Sequence, residues 1–147
     1  MRAGWLLKVF CFSALALCGL QLASPLSKAL TPVEFDIKPE TLNVDRQGRW
    51  ITGYISIATD EYDVGDIDTT KPILLDGLFH AVWSRIAEGK LVVKFDYNDS
   101  LRDHLLGKLL HYGERVSVDL EVTGQMKDGI TFSGWDKITI IHPPFGN

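Results

Sequence analysis

The sequence predicts a mainly β protein: an immunoglobulin-like two-sheet sandwich with one short crossover helix near residues 100–110. A partly open barrel is the alternative. Three observations lead there. Apolar residues alternate with a period of two over much of the chain, glycine-containing turns separate these runs, and only one segment has helical spacing.

The first segment belongs to export rather than to the fold. Arg2 and Lys8 flank a run from Val9 to Ala23 that carries no charge, and Ser24, Pro25, Ser27, Lys28 and Ala29 follow. A positive flank, an apolar stretch and small residues at the cut make a signal peptide over residues 1–29, with cleavage expected after Ala29. The apolar run is shorter than the ~20 residues that a membrane-spanning helix needs. Two alternatives compete with cleavage. One is an uncleaved anchor beginning at Trp5 with Lys8 reaching out of the membrane. The other is lipid attachment at Cys18 in Leu15-Ala16-Leu17-Cys18-Gly19, where Gly19 suits the modification and Leu17 does not. The expected destination is the exterior, periplasm or cell surface, with no transmembrane span after cleavage.

Cleavage leaves one domain, residues 30–147, long enough for a single hydrophobic core. Cys11 and Cys18 are the two cysteines of the chain, so the mature domain has no thiol and no disulfide. It enters an oxidising compartment without a covalent staple, and its stability must come from burial. Loss of Arg2, Lys8 and Lys28 leaves 12 of the 15 basic residues against all 19 acidic ones, a net charge of −7. An acidic surface with no basic stripe argues against nucleic acid and anionic lipid.

The strands follow in order. Val33, Phe35 and Ile37 form one apolar row, ended by Pro39. Ile51, Ile55 and Ile57 form another, with Trp50, Thr52, Tyr54 and Ser56 on the opposite face. Leu91, Val93 and Phe95 alternate with Val92, Lys94 and Asp96. Val116, Val118, Leu120 and Val122 alternate with polar residues from Arg115 to Thr123, the signature of one buried and one wet face. Ile138 and Ile140 close the chain before Pro143 and Pro144 stop the pairing. Turns fall between these runs at Asp76-Gly77, where both residues must accept positive φ, and at Glu88-Gly89 and Asp128-Gly129. The helix follows Asn98-Asp99-Ser100. Leu101, Leu105 and Leu109 recur on one face, Asp103 stands where a capping box with Ser100 would place it, and Gly107 is a candidate early stop.

Asp136 breaks the pattern. An unbroken last strand would put Phe132, Gly134, Asp136, Ile138 and Ile140 on one face and aim a carboxylate at the core. A bulge near Gly134-Trp135 that flips the register is the preferred reading. A buried carboxylate with a partner is the other.

Candidate chemistry is sparse. Asp60-Glu61-Tyr62-Asp63-Val64-Gly65-Asp66-Ile67-Asp68 concentrates oxygen ligands of the kind calcium takes, with Asp63, Asp66 and Asp68 as the candidate metal ligands. Its spacing is not that of an EF-hand, and loop aspartates commonly bond their own backbone to form turns. His80, His104, His111 and His142 show no zinc-site spacing and read as surface histidines. Ser133 lies in Phe-Ser-Gly-Trp, which is not a nucleophile elbow, and there is no phosphate-binding glycine loop. No catalytic residue is assigned. Trp50, Trp83 and Trp135, with Tyr54 and Tyr62, are candidates for an aromatic platform for sugars, against the ordinary expectation that tryptophans in a small domain fill the core.

Several stretches together resemble a small secreted β-sandwich domain that often accompanies dockerin modules or sorting tails in bacterial and archaeal surface proteins. They are Phe35-Asp36-Ile37-Lys38-Pro39-Glu40-Thr41-Leu42-Asn43, Trp50 with Tyr54-Ile55, Tyr62-Asp63-Val64 with Asp66-Ile67-Asp68, Val92-Val93-Lys94-Phe95-Asp96, Val122-Thr123-Gly124, Asp128-Gly129, and Phe132-Ser133-Gly134 with Asp136-Lys137-Ile138. The resemblance implies a non-catalytic module and supplies no active-site residues. Members of that family tend to carry an aspartate-rich, calcium-loop-like stretch where this chain has Ser84-Arg85-Ile86-Ala87-Glu88-Gly89-Lys90. No dockerin or sorting tail follows Asn147, so the expectation is the module on its own.

The leading expectation is an exported, non-catalytic binding or structural module that meets a protein or glycan at the cell surface and needs no cofactor. Calcium-dependent adhesion or carbohydrate binding is the alternative. A small acid/base hydrolase using Asp96, Asp136 and the acidic loop is a third reading. An exposed edge strand would be able to pair two copies.

Overall fold

The structure, a computed structural model, describes residues 30–45, 48–112 and 115–142, without the side chains of residues 110–112. The expected export signal, its cut after Ala29, the lipidation site at Cys18 and the prolines at 143 and 144 lie outside the described residues.

Nine strands and one α-helix lie among the described residues. The strands are β1 (Leu30–Pro32), β2 (Glu34–Lys38), β3 (Thr41–Asn43), β4 (Trp50–Ser56), β5 (Leu74–Leu75), β6 (Phe79–Ala87), β7 (Lys90–Asp96), β8 (Arg115–Gln125) and β9 (Thr131–Ile141); helix α1 spans Asp99–Tyr112. The all-β class with a single α-helix therefore holds. The hydrogen-bonded path runs β1-β9-β8-β5-β6-β7-β4-β2, with β3 also on β9. The two sheets are not separate layers, because β6 belongs to both. Its first residues pair with β5, and the remainder pairs with β7 after a register shift between Ala81 and Trp83. An extra residue in one strand increases twist and bends it, and here it turns the corner between the sheets. The result is one strongly curved sheet that almost closes as a barrel.

The N-terminal segment makes the near-closure. β1 and β3 run parallel to β9, whereas β2 between them pairs antiparallel with β4. Val33 N–H reaches Ser133 O at 2.9 Å just before the switch, and Thr139 N–H reaches Glu40 O at 2.8 Å just after it. The Lys38–Pro39 peptide at the second switch is cis. Gly134 permits the crossing: a Cβ there would sit 2.7 Å from Val33 O. The glycine therefore marks close backbone approach, not a bulge. β8 and β9 pair in one unbroken register from Arg115↔Ile141 to Gln125↔Thr131, which corrects the expected flip near Gly134-Trp135. Asp136 does share a face with Phe132, Ile138 and Ile140, and it is half-buried with a partner: Ile37 N–H donates to its Oδ2 at 2.7 Å. The carboxylate bridges β9 and β2 where no ladder joins them.

The alternating rows read from the sequence face a single core. Ile37, Ile55, Phe95, Leu120, Phe132 and Ile140 all lose essentially all their exposure there. The turns take the backbone the sequence demands: Asp76 and Gly77 have φ of 49° and 67°, and Glu88 and Gly89 have 52° and 72°. Helix α1 begins one residue earlier than expected and runs past Gly107. Its cap is Asn98, whose Oδ1 accepts Leu101 N–H at 3.0 Å, in place of the expected Ser100–Asp103 box. Leu101, Leu105 and Leu109 are buried against the core. Full burial of a leucine contributes about 1.5–3 kcal/mol, so this stripe, rather than helix propensity, holds α1 across β8 and β9.

Candidate ligand-binding surface

The outward positions of β4, β7 and β6 form one face. Strand alternation buries Ile51, Ile55, Val93 and Phe95 and so turns Trp50, Thr52, Tyr54 and Lys94 outward. The register sets Trp50 opposite Asp96, Thr52 opposite Lys94, and Trp83 opposite Lys94 from the other side. Trp50 and Trp83 are 37% and 44% exposed, and Trp135 is 59% exposed. The expectation that most of the domain's tryptophans lie in the core is therefore wrong for these three. Two strand spacings of about 4.8 Å and an offset of two residues along β7, about 7 Å, separate their positions, so Trp50 and Trp83 stand about 12 Å apart across the face. Tyr54 shares that face, while Trp135 lies on β9 opposite Glu121. Tyr62 lies in the loop after β4. The proposed five-residue platform thus reduces to Trp50, Tyr54 and Trp83.

Cations accompany both rings. The Arg49 guanidinium lies 5.5 Å from the Trp50 ring centre, and Lys94 Nζ lies 5.0 Å from that of Trp83. Beside Trp50 opens a pocket of about 400 Å³ lined by Arg49, Asp96, Tyr97, Asn98, Asp99 and Arg102, among others. Its polar groups are varied. Arg102 approaches Asp99 at 3.7 Å and Asp103 at 3.6 Å, and its Nε is buried with no hydrogen-bond partner among the described residues. Tyr97 donates to Val44 O at 3.2 Å, and burial raises its phenol above the ordinary tyrosine range. An aromatic wall beside paired donors and acceptors is the chemistry that takes a polyhydroxylated ligand.

The acidic loop is organised around its own backbone. Asp63 caps a single 3-10 turn, Val64–Asp66: its Oδ1 accepts Gly65 N–H at 2.5 Å, and Asp66 Oδ2 accepts Asp63 N–H at 2.9 Å. Asp68 Oδ1 accepts both the Thr70 N–H at 3.0 Å and the Thr70 hydroxyl at 2.5 Å, and the hydroxyl bond chiefly lowers its carboxyl below the ordinary range. Asp63 and Asp66 thus share one capped turn, and Asp68 serves a second. Among the described residues no three His, Cys, Asp or Glu side chains form a group able to hold a metal ion. Nearby, Tyr62 donates to Asp128 Oδ2 at 2.6 Å, and this bond pushes its phenol up to about 12.

The two remaining acids considered for hydrolysis lie apart. Asp96 lines the pocket beside Trp50, whereas Asp136 lines another, of about 370 Å³, with Asp36, Glu40 and Lys137. Both oxygens of Asp136 already accept backbone N–H groups, from Ile37 and Lys137.

One polar cluster escaped the sequence reading. Asp76, at the β5–β6 turn, accepts His104 Nε2 at 2.9 Å, Lys108 Nζ at 3.0 Å and Glu121 N–H at 2.9 Å. Its side chain is only 12% exposed. Burial alone would raise the carboxyl, but these donors outweigh it and hold Asp76 below the ordinary range. Burial, with Asp76 nearby, raises Glu121 in turn. His104 is therefore an anchor of α1, not a free surface histidine. Its spacing from Lys108, one helical turn, was the available signal; the partner across the fold was not.

No helix among the described residues is long and apolar enough to cross a membrane. No protein-family model matches the chain, and neither does any curated protein or any solved structure.

Proposed function

We propose that the chain is an exported, non-catalytic binding module whose outer β4-β7-β6 face takes a carbohydrate at the cell surface or in the envelope. The observation that carries this reading is the exposure of Trp50 and Trp83 on one face, beside a polar pocket. A tryptophan left half in water forgoes a large burial energy, and exposed aromatics concentrate at binding surfaces. The mixed donors and acceptors around Arg49, Asp96 and Asn98 suit hydroxyl groups better than an apolar ligand. The signal-like N-terminus and the resemblance to domains of bacterial and archaeal surface proteins support the compartment.

The test is retention on insoluble cell-wall polysaccharides, using the chain expressed from its full sequence in an export-competent host. The wild-type protein should be retained, and the Trp50→Ala/Trp83→Ala double variant should pass through while keeping the wild-type circular dichroism. Retention of the folded double variant would reject the assigned face.

A further inference from the structure

We infer that β6 is a self-pairing edge through which two copies of this chain join, antiparallel and centred on Ser84. β6 is nine residues long, yet its β5 side is occupied only at the start, by the pairs Leu75↔Phe79 and Leu74↔His80 and by Ala81 N–H bonding Ile73 O at 2.8 Å. From Val82 onward β7 is its only strand partner among the described residues. The Glu88-Gly89 turn is a two-residue hairpin flanked by Ala87↔Lys90. The flanking pair of such a turn is hydrogen-bonded, and bonding alternates along the ladder. Trp83 and Arg85 therefore bond β7, while Ser84 and Ile86 aim their N–H and C=O groups at the open edge. Val82 and Ile86 on this edge are 56% and 47% exposed. Arg85 is the single charge in residues 82–87, and no proline or lysine guards the segment. Such an edge is a template for another strand.

The side chains specify which strand. Two-fold antiparallel pairing sets residues of the same sheet face opposite one another. With Ser84 opposite Ser84 of the second copy, Trp83 faces Arg85 and Val82 faces Ile86, and the pairing ends there because β5 already occupies the edge beside His80. Both contacts are complementary: a cation on an aromatic ring and an apolar pair. Trp83 is 44% exposed and already carries Lys94 Nζ 5.0 Å from its ring centre. Centring on Arg85 would put two guanidinium groups face to face. Centring on Trp83 would set Arg85 against Ala81 and Ile86 against His80. Of these three registers only the one centred on Ser84 matches both pairs, and it matches because both strands are the same sequence. The second copy extends the β4-β7-β6 sheet and joins the two outer faces into one surface.

The test is sedimentation equilibrium of the chain expressed from its full sequence, at concentrations up to ~1 mM. The expected result is a doubling of the weight-average mass with concentration. Ser84→Pro removes an N–H that only the open edge uses, and it should weaken association at least tenfold. Arg85→Glu should do the same without touching the backbone. In a Cys11→Ser/Cys18→Ser background, Ser84→Cys should form a disulfide-linked dimer on oxidation, whereas Arg85→Cys should not, because its mate lies opposite Trp83. A wild-type chain that stays monomeric throughout overturns the inference and leaves the edge to a foreign strand. A dimer that persists in folded Arg85→Glu, or that cross-links equally at both positions, overturns it as well.

Discussion

Asp136 Oδ2 accepts the backbone N–H of Ile37 at 2.7 Å, joining residues 99 positions apart. The bond fills the seam where β2 has left β9 for β4, so one carboxylate stands in for a missing stretch of ladder. Asp136→Ala would leave the N–H of the buried Ile37 unpaired, which costs about 1–3 kcal/mol. Asp136→Asn keeps an acceptor and should cost less than half as much. Urea midpoints of the two variants at pH 7 check this, and equal midpoints would remove the seam role.

The Asp76 cluster makes stability depend on pH. Its carboxyl is held below the ordinary range in the folded chain, so its contribution is complete above the unfolded value of about 3.9 and is lost as pH falls through the lower folded value. Asp76→Asn keeps a side chain that tolerates the positive φ at this turn and removes the charge. The stability difference between wild type and Asp76→Asn should shrink steadily from about pH 5 toward pH 2. A difference that stays constant over that range, or grows, would contradict the assignment.

Gly107 lies inside α1, and a Cβ there would meet nothing within 4 Å. Gly107→Ala should therefore raise stability by about 1 kcal/mol through helix propensity alone. Chemical unfolding measures it directly; a loss of stability would mean that the local packing differs from that described.

Asp63, Asp66 and Asp68 give their oxygens to local donors. Addition of ~1 mM calcium is expected to leave the thermal midpoint where a chelator leaves it, since only an ion bound to the folded form raises it. A clear rise with calcium would return the acidic loop to the list of ion sites and favour ion-dependent adhesion.

How legible the fold was depends on the range of the interactions. The Val116–Val122 row, the Asp76-Gly77 turn and the leucine stripe of α1 are written in neighbouring residues, and each stands where the spacing put it. The role of Asp136 was not legible, because its partner is set by a strand switch at residues 33–40. A glycine in a strand reads equally as a bulge or as a close approach, and only the position of Val33 decides between them. His104 looked like surface for the same reason: Asp76 meets it across the fold. For the candidate site, alternation correctly put Trp50 and Tyr54 on the face opposite the isoleucines. That they stay uncovered depends on the absence of a covering layer among the described residues, which no local pattern encodes.

The proposed binding face is tested most directly by tryptophan fluorescence titration with the polysaccharide fragments that retain the protein, comparing Trp50→Ala, Trp83→Ala and Trp135→Ala. Trp50 and Trp83 are 37% and 44% exposed, so the circular dichroism and thermal midpoint of each variant are matched to wild type and binding is read on folded protein. The account predicts at least tenfold weaker binding for Trp50→Ala and Trp83→Ala, and wild-type affinity for Trp135→Ala. Unchanged affinity in the first two, or a loss confined to Trp135→Ala, would contradict it.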